Sequence, residues 1–328
     1  MLLETCWSSW GMKRIMTGSC SIVIRAYNEE KHIGRLLEGI KQQTVKDVDV
    51  ILVDSGSTDS TISIAESFGA RIVTIRPEEF TFGRSLNYGV REAKREFVVI
   101  ASAHVYPVYP DWLETLLRPF QDDTIALTYG KQRGPEFARF SEQQIFHQWY
   151  PDMDKQKQGT AFCNNANAAI RKSLWEQNPY DETLTGLEDL DWAKRMQAQG
   201  HAIAYIAEAE IIHVHNETPR GVFNRYRREA MALRRIYPEA NFSFYDFLRL
   251  TMTNVLSDLW HAAREGVLFK NISSIFWFRY MQFHGTRTGH RETSLITPQL
   301  RETFYYARER KKKEAKKRNV EPIRYEKK

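Results

Sequence analysis

The sequence predicts an α/β domain over roughly its first 220 residues, a mainly parallel sheet flanked by helices, followed by a helical C-terminal extension. Three observations predict it. Short β-branched runs alternate with amphipathic segments through short connections, the pattern of repeated βαβ units. Two of the runs, residues 49–53 after their opening Asp49 and residues 97–101, are continuously apolar, as strands covered on both faces are. Both runs end in polar residues, Asp54 in one case and Ser102-Ala103-His104 in the other, at the strand ends where ligands of such sheets collect.

Each element follows from its residues. Residues 21–25 read as the first strand. Asn28 offers a cap to the next helix, with Glu29 and Glu30 in its first turn and Ile33, Leu36, Leu37 and Ile40 on one face. Residues 49–53 form the second strand, Ser55-Gly-Ser-Thr-Asp59 a polar turn, and Ile62, Ile64, Ala65 and Phe68 mark a helix. Strands at 70–75, 97–101 and 125–130 alternate with helices at 85–94 and 112–120. Residues 131–160 are polar, aromatic and poorly periodic, which predicts an extended surface segment. Residues 166–170 suit a strand end or helix entry, and 188–199 a helix closed by Gly200. Residues 203–205 and 210–214 predict two short strands. Beyond residue 218 the chain becomes helical, basic at 222–236 and aromatic-rich at 242–264 and 272–284. The expected organisation is an N-terminal extension at 1–18, a sheet domain at 19–218, a helical subdomain at 219–300 and a basic tail at 301–328.

Charge narrows the function classes. The net charge of +6 is concentrated in the tail, where twelve Lys/Arg face five Asp/Glu, so the rest of the chain is close to neutral. A nucleic-acid-binding face should colour the folded part too, so that role is not expected. Three cysteines, Cys6, Cys20 and Cys163, make no disulfide framework and suit a reducing cytoplasm. The first eighteen residues do not read as a signal peptide, and Met12 or Met16 is an alternative start. No apolar run is long enough to span a bilayer. A G-x-G-x-x-G loop after the first strand is absent, as is a P-loop, which disfavours dinucleotide and P-loop ATPase chemistry.

Two motifs, Ser21-Ile-Val-Ile-Arg-Ala-Tyr-Asn-Glu-Glu30 and Val53-Asp-Ser-Gly-Ser-Thr-Asp59, resemble those of the family 2 glycosyltransferases of the GT-A fold. Asn164-Asn-Ala-Asn-Ala-Ala-Ile-Arg171 and Gly186-Leu-Glu-Asp-Leu-Asp-Trp192 extend the resemblance in the family's order, and the rhamnosyltransferase-like branch is similar in pattern. The resemblance implies an inverting transfer of a hexose or deoxyhexose from a UDP- or dTDP-sugar to a glycan or lipid-linked acceptor. It places the backbone at Ala26, Glu30, Asp54 and Arg84 toward the nucleotide, with Asp54 on the base edge. Asp189 matches the general base, with Glu188 beside it, and a carboxylate at a helix N-terminus is expected to stay ionised. The family's Asp-x-Asp metal motif is replaced by Ser102-Ala103-His104. His104 and the late His215 then form the metal pair, His213 being a second donor or an ordinary buried histidine. Loss of the carboxylate favours Mn²⁺ over Mg²⁺, which prefers oxygen ligands. Arg225 and Arg228 are candidates for meeting the leaving diphosphate, and Trp192 for stacking on an acceptor sugar or packing in the core. A nucleotidyltransferase and a non-catalytic nucleotide-sugar-binding protein are the competing readings. The aromatic and basic C-terminal third suits either peripheral contact with the cytoplasmic face of a membrane or a packing and homodimerisation element.

Overall fold

The computed structural model describes residues 18–292. The expected basic tail and nearly all of the N-terminal extension, Cys6, Met12 and Met16 included, lie outside them. The first half follows the alternation: β1 (Ser19–Ala26), α1 (Ile33–Lys41), β2 (Asp47–Asp54), α2 (Thr61–Ser67), β3 (Arg71–Thr74), α3 (Phe82–Glu92), β4 (Phe97–Ser102), β5 (Val105–Pro107), α4 (Trp112–Leu117) and β6 (Ile125–Arg133). Next come α5 (Phe140–Trp149), β7 (Asn167–Arg171), α6 (Lys172–Gln177), α7 (Glu188–Ala198) and β8 (Ala202–His213). Three long helices close the described chain, α8 (Pro219–Ile236), α9 (Phe244–Arg264) and α10 (Leu268–Arg291). No helix among the described residues is long and apolar enough to cross a membrane.

One eight-stranded sheet runs β3-β2-β1-β4-β7-β6-β8-β5. β3, β2, β1 and β4 are parallel, as the βαβ pattern requires, and so are β6 and β8. β7 is antiparallel to β4 and β6, and β5 to β8, so the sheet is mixed. Residues 134–166 return the chain to β7 without a simple helical crossover, and that return allows the reversed direction. Apolar side chains fill both faces. Ile22, Ile24, Leu52 and Val99 pack under α1 and α4, while Val23, Val53, Val98 and Ile100 pack against α3 and α7.

Four local expectations change. Asn28 is not a helix cap: it sits at φ 53°, and its side-chain oxygen accepts the Thr58 N–H, while α1 begins later at Ile33. Residues 131–160 contain α5, whose Phe140, Ile145 and Phe146 are buried. The two short strands expected at 203–205 and 210–214 are one twelve-residue strand, β8, because it pairs with β6 and then with β5 along its length. Trp192 is fully buried and donates its indole N–H to the Asn178 carbonyl, which makes it a core residue.

The C-terminal helices pack on one another and on α5. Gly285 and Gly289 let α10 approach the α8 backbone, since a Cβ at either would strike the Phe223 or Arg227 carbonyl oxygen. Arg279 on α10 makes a two-point ion pair with Asp258 on α9, at 2.7 and 2.9 Å, both side chains being buried. α8 is fastened to the sheet domain through Thr185 to the Arg228 carbonyl, Lys194 to the Ile236 carbonyl and Arg235 to the Thr183 carbonyl.

Candidate active site

Sheet register gathers the strand-end residues. Ala26 lies opposite Asp54, and Arg25 opposite Ser102, so three neighbouring parallel strands end at one edge. A cavity of about 360 Å³ opens there, bordered by Arg25, Ala26, Ser102, His104, Asn165, Glu188, Asp189, His213, His215, Arg225 and Arg228, among others. Its lining comes from two stretches of the chain, residues 25–104 and residues 164–229.

Asp54 is 2% exposed. Its Oδ2 accepts the Gly56 and Ser57 N–H groups at 2.9 and 3.0 Å, with Gly56 at φ 96° closing the turn. Its Oδ1 is buried and has no hydrogen-bond partner among the described residues. One oxygen thus shapes the loop while the other stays open, and an unsatisfied buried acceptor is costly unless something donates to it.

Asp189 stands in the first turn of α7 and is 7% exposed. Leu187 just before the helix adopts φ 56°, a left-handed conformation that costs a branched residue about 1–2 kcal/mol. Asp189 Oδ2 accepts the Asn165 N–H and Oδ1 the Leu190 N–H, both at 2.8 Å. Burial and the adjacent Glu188 carboxylate push its pKa up to about 7, against those amide bonds and the charge of Arg25. Burial and Glu188 thus work against the helix N-terminus that is expected to keep Asp189 ionised. Glu188 is ion-paired with Arg25 at 3.1 Å. Asp191 turns away and pairs with Arg195.

His104, His213 and His215 meet at the cavity wall, with a nitrogen of each within 4.8 Å of the others. His104 Nδ1 is 2.9 Å from Glu29 Oε1, and Ser102 Oγ lies 3.2 Å from His104 Nε2. His213 Nδ1 is 2.8 Å from Gln132 Oε1, and His215 Nδ1 is 2.7 Å from Glu142 Oε1. Burial, then the neighbouring His215, His104 and Arg225, holds His213 well below the usual histidine range, so its ring is neutral. Burial alone would raise Glu142, but His215 and Arg225 outweigh it and bring its pKa down to about 2. Three imidazoles and no carboxylate in the cluster fit a divalent transition metal.

Some expected residues stand apart. Glu30 points to the loop at 57–61, accepting the Ser60 N–H, and Glu29 takes its place at the cavity. Arg84 is held by the Glu182 carboxylate and the Glu79 carbonyl and does not border the cavity. Ala103 is fully buried in the core beneath the sheet. Arg225 is paired with Glu142 and Glu217, while the Arg25 and Arg228 guanidinium groups each lie over the Phe82 ring, at 4.6 and 4.7 Å. Sequence reasoning missed Glu29, Gln132 and Glu142, whose relation to the histidines exists only after folding.

Comparison with known proteins follows the same lines. Residues 21–177 match the sequence profile of glycosyl transferase family 2. The chain is 30% identical over 220 residues to the O-antigen chain rhamnosyltransferase WbaN of Salmonella anatum, covering 63% of this chain and 70% of that protein. It is 29% identical over 219 residues to the O-antigen chain rhamnosyltransferase RfbN of Salmonella typhimurium, covering 63% and 69%. The mannosyltransferase PcManGT of Pyrobaculum calidifontis, solved with GDP-Man and Mn²⁺, shares the fold at a TM-score of 0.56 and 17% identity, over 84% of this chain and 88% of that one. Its strand-end motifs, mixed sheet, helical extension and relatives together show that the chain belongs to glycosyl transferase family 2 and has the GT-A fold.

Proposed function

We propose that the chain is an inverting glycosyltransferase that moves a hexose or deoxyhexose from a UDP- or dTDP-sugar to a glycan or lipid-linked acceptor. The observation that carries the reading is the meeting of Asp189 and the histidine cluster in one cavity. Asp189 takes the proton of the acceptor hydroxyl as that oxygen bonds to the anomeric carbon, and the bond to the diphosphate breaks on the opposite face. A pKa of about 7 suits a base working near neutral pH. Glu188, held by Arg25, keeps a second negative charge beside Asp189 and sustains that basicity.

Asp54, buried just behind the cavity-lining Ala26 and Ser55, reads the base edge through its unpaired Oδ1, with Ser102 toward the diphosphate or sugar. His104 and His215 would hold a divalent ion, Mn²⁺ in preference to Mg²⁺, and the ion would supply positive charge against the leaving diphosphate. Arg225 and Arg228 border the same space and add to it. Glu30, Arg84 and Ala103 have other partners or positions in the fold and carry no role in this proposal. The rhamnosyltransferase relatives, which act on O-antigen chains, support a deoxyhexose donor and a polysaccharide acceptor.

A second observation supports a membrane-bound acceptor. α9 exposes Tyr245, Leu248, Met252, Leu256 and Trp260, and α10 exposes Phe269, Ile272, Phe276 and Tyr280. The spacing of three and four makes each set a stripe. The helices are antiparallel, with Phe244 beside Arg287 and Phe247 beside Tyr280. Arg249, Arg264 and Lys270 are exposed on the same two helices, and aromatic and basic side chains together suit an anionic bilayer surface.

The test of the chemistry is Asp189→Asn assayed against a panel of UDP- and dTDP-sugars. Transfer should fall at least ~100-fold, the scale of a lost general base, while donor binding by calorimetry is retained. Undiminished turnover removes Asp189 from the role.

A further inference from the structure

We propose that the metal ion is held by three imidazole Nε2 atoms, with His213 as the third ligand and Glu29, Gln132 and Glu142 as positioning residues that aim the rings. The proposal rests on the metal role given above to His104 and His215. Each histidine places Nδ1 against a side-chain oxygen from a distant part of the chain: Glu29 for His104, Gln132 for His213 and Glu142 for His215, at 2.7–2.9 Å. A carboxylate or amide oxygen has only lone pairs to offer, so Nδ1 carries the hydrogen in all three rings. The tautomer is thereby fixed, and each Nε2 keeps its lone pair, that of His104 beside the Ser102 hydroxyl.

Three such locks acting on three adjacent rings exceed what packing requires. The His213 and His215 Nε2 atoms lie 2.9 Å apart, and two lone pairs at that distance repel unless a cation sits against both. Either a proton or a metal ion meets the requirement. His104 decides between them, because its ring stacks 5.1 Å from that of His213 and offers a third nitrogen to the same point. A shared proton needs two nitrogens, whereas a metal ion uses all three. Imidazole nitrogens suit Mn²⁺, Co²⁺ and Zn²⁺, while Mg²⁺ requires oxygen ligands. The nitrogen set thus compensates for the carboxylate missing at Ser102 and makes the site selective for transition metals.

Gln132 gives the cleanest test, since its Oε1 meets His213 and its Nε2 has no hydrogen-bond partner among the described residues. The full-length, metal-free protein is titrated with Co²⁺ and followed by visible absorption, with Mn²⁺ and Mg²⁺ binding measured by calorimetry. Wild type should bind one Co²⁺ with d–d bands, bind Mn²⁺, and give no heat with Mg²⁺. His213→Ala should weaken Co²⁺ binding at least ~100-fold and change the bands. Gln132→Met should weaken it ~10–100-fold, the usual effect of losing a partner to a metal-bound histidine. Gln132→Glu, which restores an acceptor oxygen, should recover most of the loss. If wild type binds no Co²⁺ or Mn²⁺, the metal role of His104 and His215 fails together with this proposal, and the His213–His215 pair holds a proton. If wild type binds Co²⁺ but His213→Ala and Gln132→Met bind it equally well, the proposal fails and the two-histidine role survives. Should His213→Ala fail to fold, the Gln132→Met and Gln132→Glu pair decides alone. Mg²⁺ heat equal to that of Mn²⁺ overturns the assigned selectivity.

Discussion

At Asp189 two opposing sets of forces meet, burial and Glu188 against two amide donors and Arg25, and the first set prevails. The pKa near 7 has two consequences of opposite sense. The basic form becomes more abundant as pH rises, so the turnover rate should climb about tenfold between roughly pH 6 and pH 8. The folded protein, however, binds this proton more tightly than the unfolded chain does. Its contribution to stability is full below the unfolded carboxylate value and is lost as pH rises through about 7. The melting temperature should therefore decline over the interval in which activity grows. Asp189→Asn should abolish the transfer and remove this part of the decline; an unchanged decline in the variant would assign it to another group. At this scale the sequence was readable for position, since it places Asp54, His104 and Asp189 at strand and helix ends where the structure has them. It was opaque where partners are far apart in the chain: 75 residues separate His104 from Glu29, and 81 separate His213 from Gln132. Arg84 shows the converse, a charge whose motif position suggests a donor contact but whose guanidinium is held by Glu182, 98 residues away.

Among the elements, α9 and α10 present the largest departure from an ordinary water-facing surface. Phe269 is 93% exposed and Trp260 54%, at the end of the pair where the two helices join. Full burial of such a side chain contributes about 1.5–3 kcal/mol, so two of them account for a large part of a weak membrane affinity. The double variant Trp260→Glu with Phe269→Glu should lose sedimentation with anionic liposomes while keeping its activity on a soluble acceptor. Retained liposome binding excludes this face as the contact, and a shift from dimer to monomer in ultracentrifugation assigns the stripe to self-association. Elements with a clean apolar period, such as α1 and the continuous runs in β2 and β4, were legible because burial imposed the pattern locally. α5 was not, because its buried positions, Phe140, Ser141, Glu142, Ile145 and Phe146, mix apolar and polar residues. Glu142 is buried there to serve His215 and Arg225, and so the polar side chain that hid the helix belongs to the candidate site.

For the molecule as a whole, the buried Asp258–Arg279 pair joins two helices, and Arg279 also reaches the Ser141 carbonyl in α5. Asp258→Ala leaves an uncompensated buried guanidinium and should destabilise the protein by about 3–5 kcal/mol. Because α8 is fastened to the sheet domain and α10 packs along α8, the loss should appear as one lowered unfolding transition. Tryptophan fluorescence and far-UV circular dichroism should report the same midpoint. Two separated midpoints would show the helical part melting on its own. The parallel half of the sheet followed from strand–helix alternation, whereas the placement of β7 between β4 and β6 depends on pairings that no local pattern announces. β5 carries a further consequence. This short strand follows His104 directly, and its partner is β8, about a hundred residues later in the chain. At a synthesis rate of about 5–20 residues per second, the nucleotide-side loops emerge from the ribosome well before the late histidines do. A nascent chain can already have shaped the Asp54 loop while His104 still waits for the segment that carries His213 and His215. The order of synthesis thus leaves the cavity incomplete until nearly the whole sheet has been made.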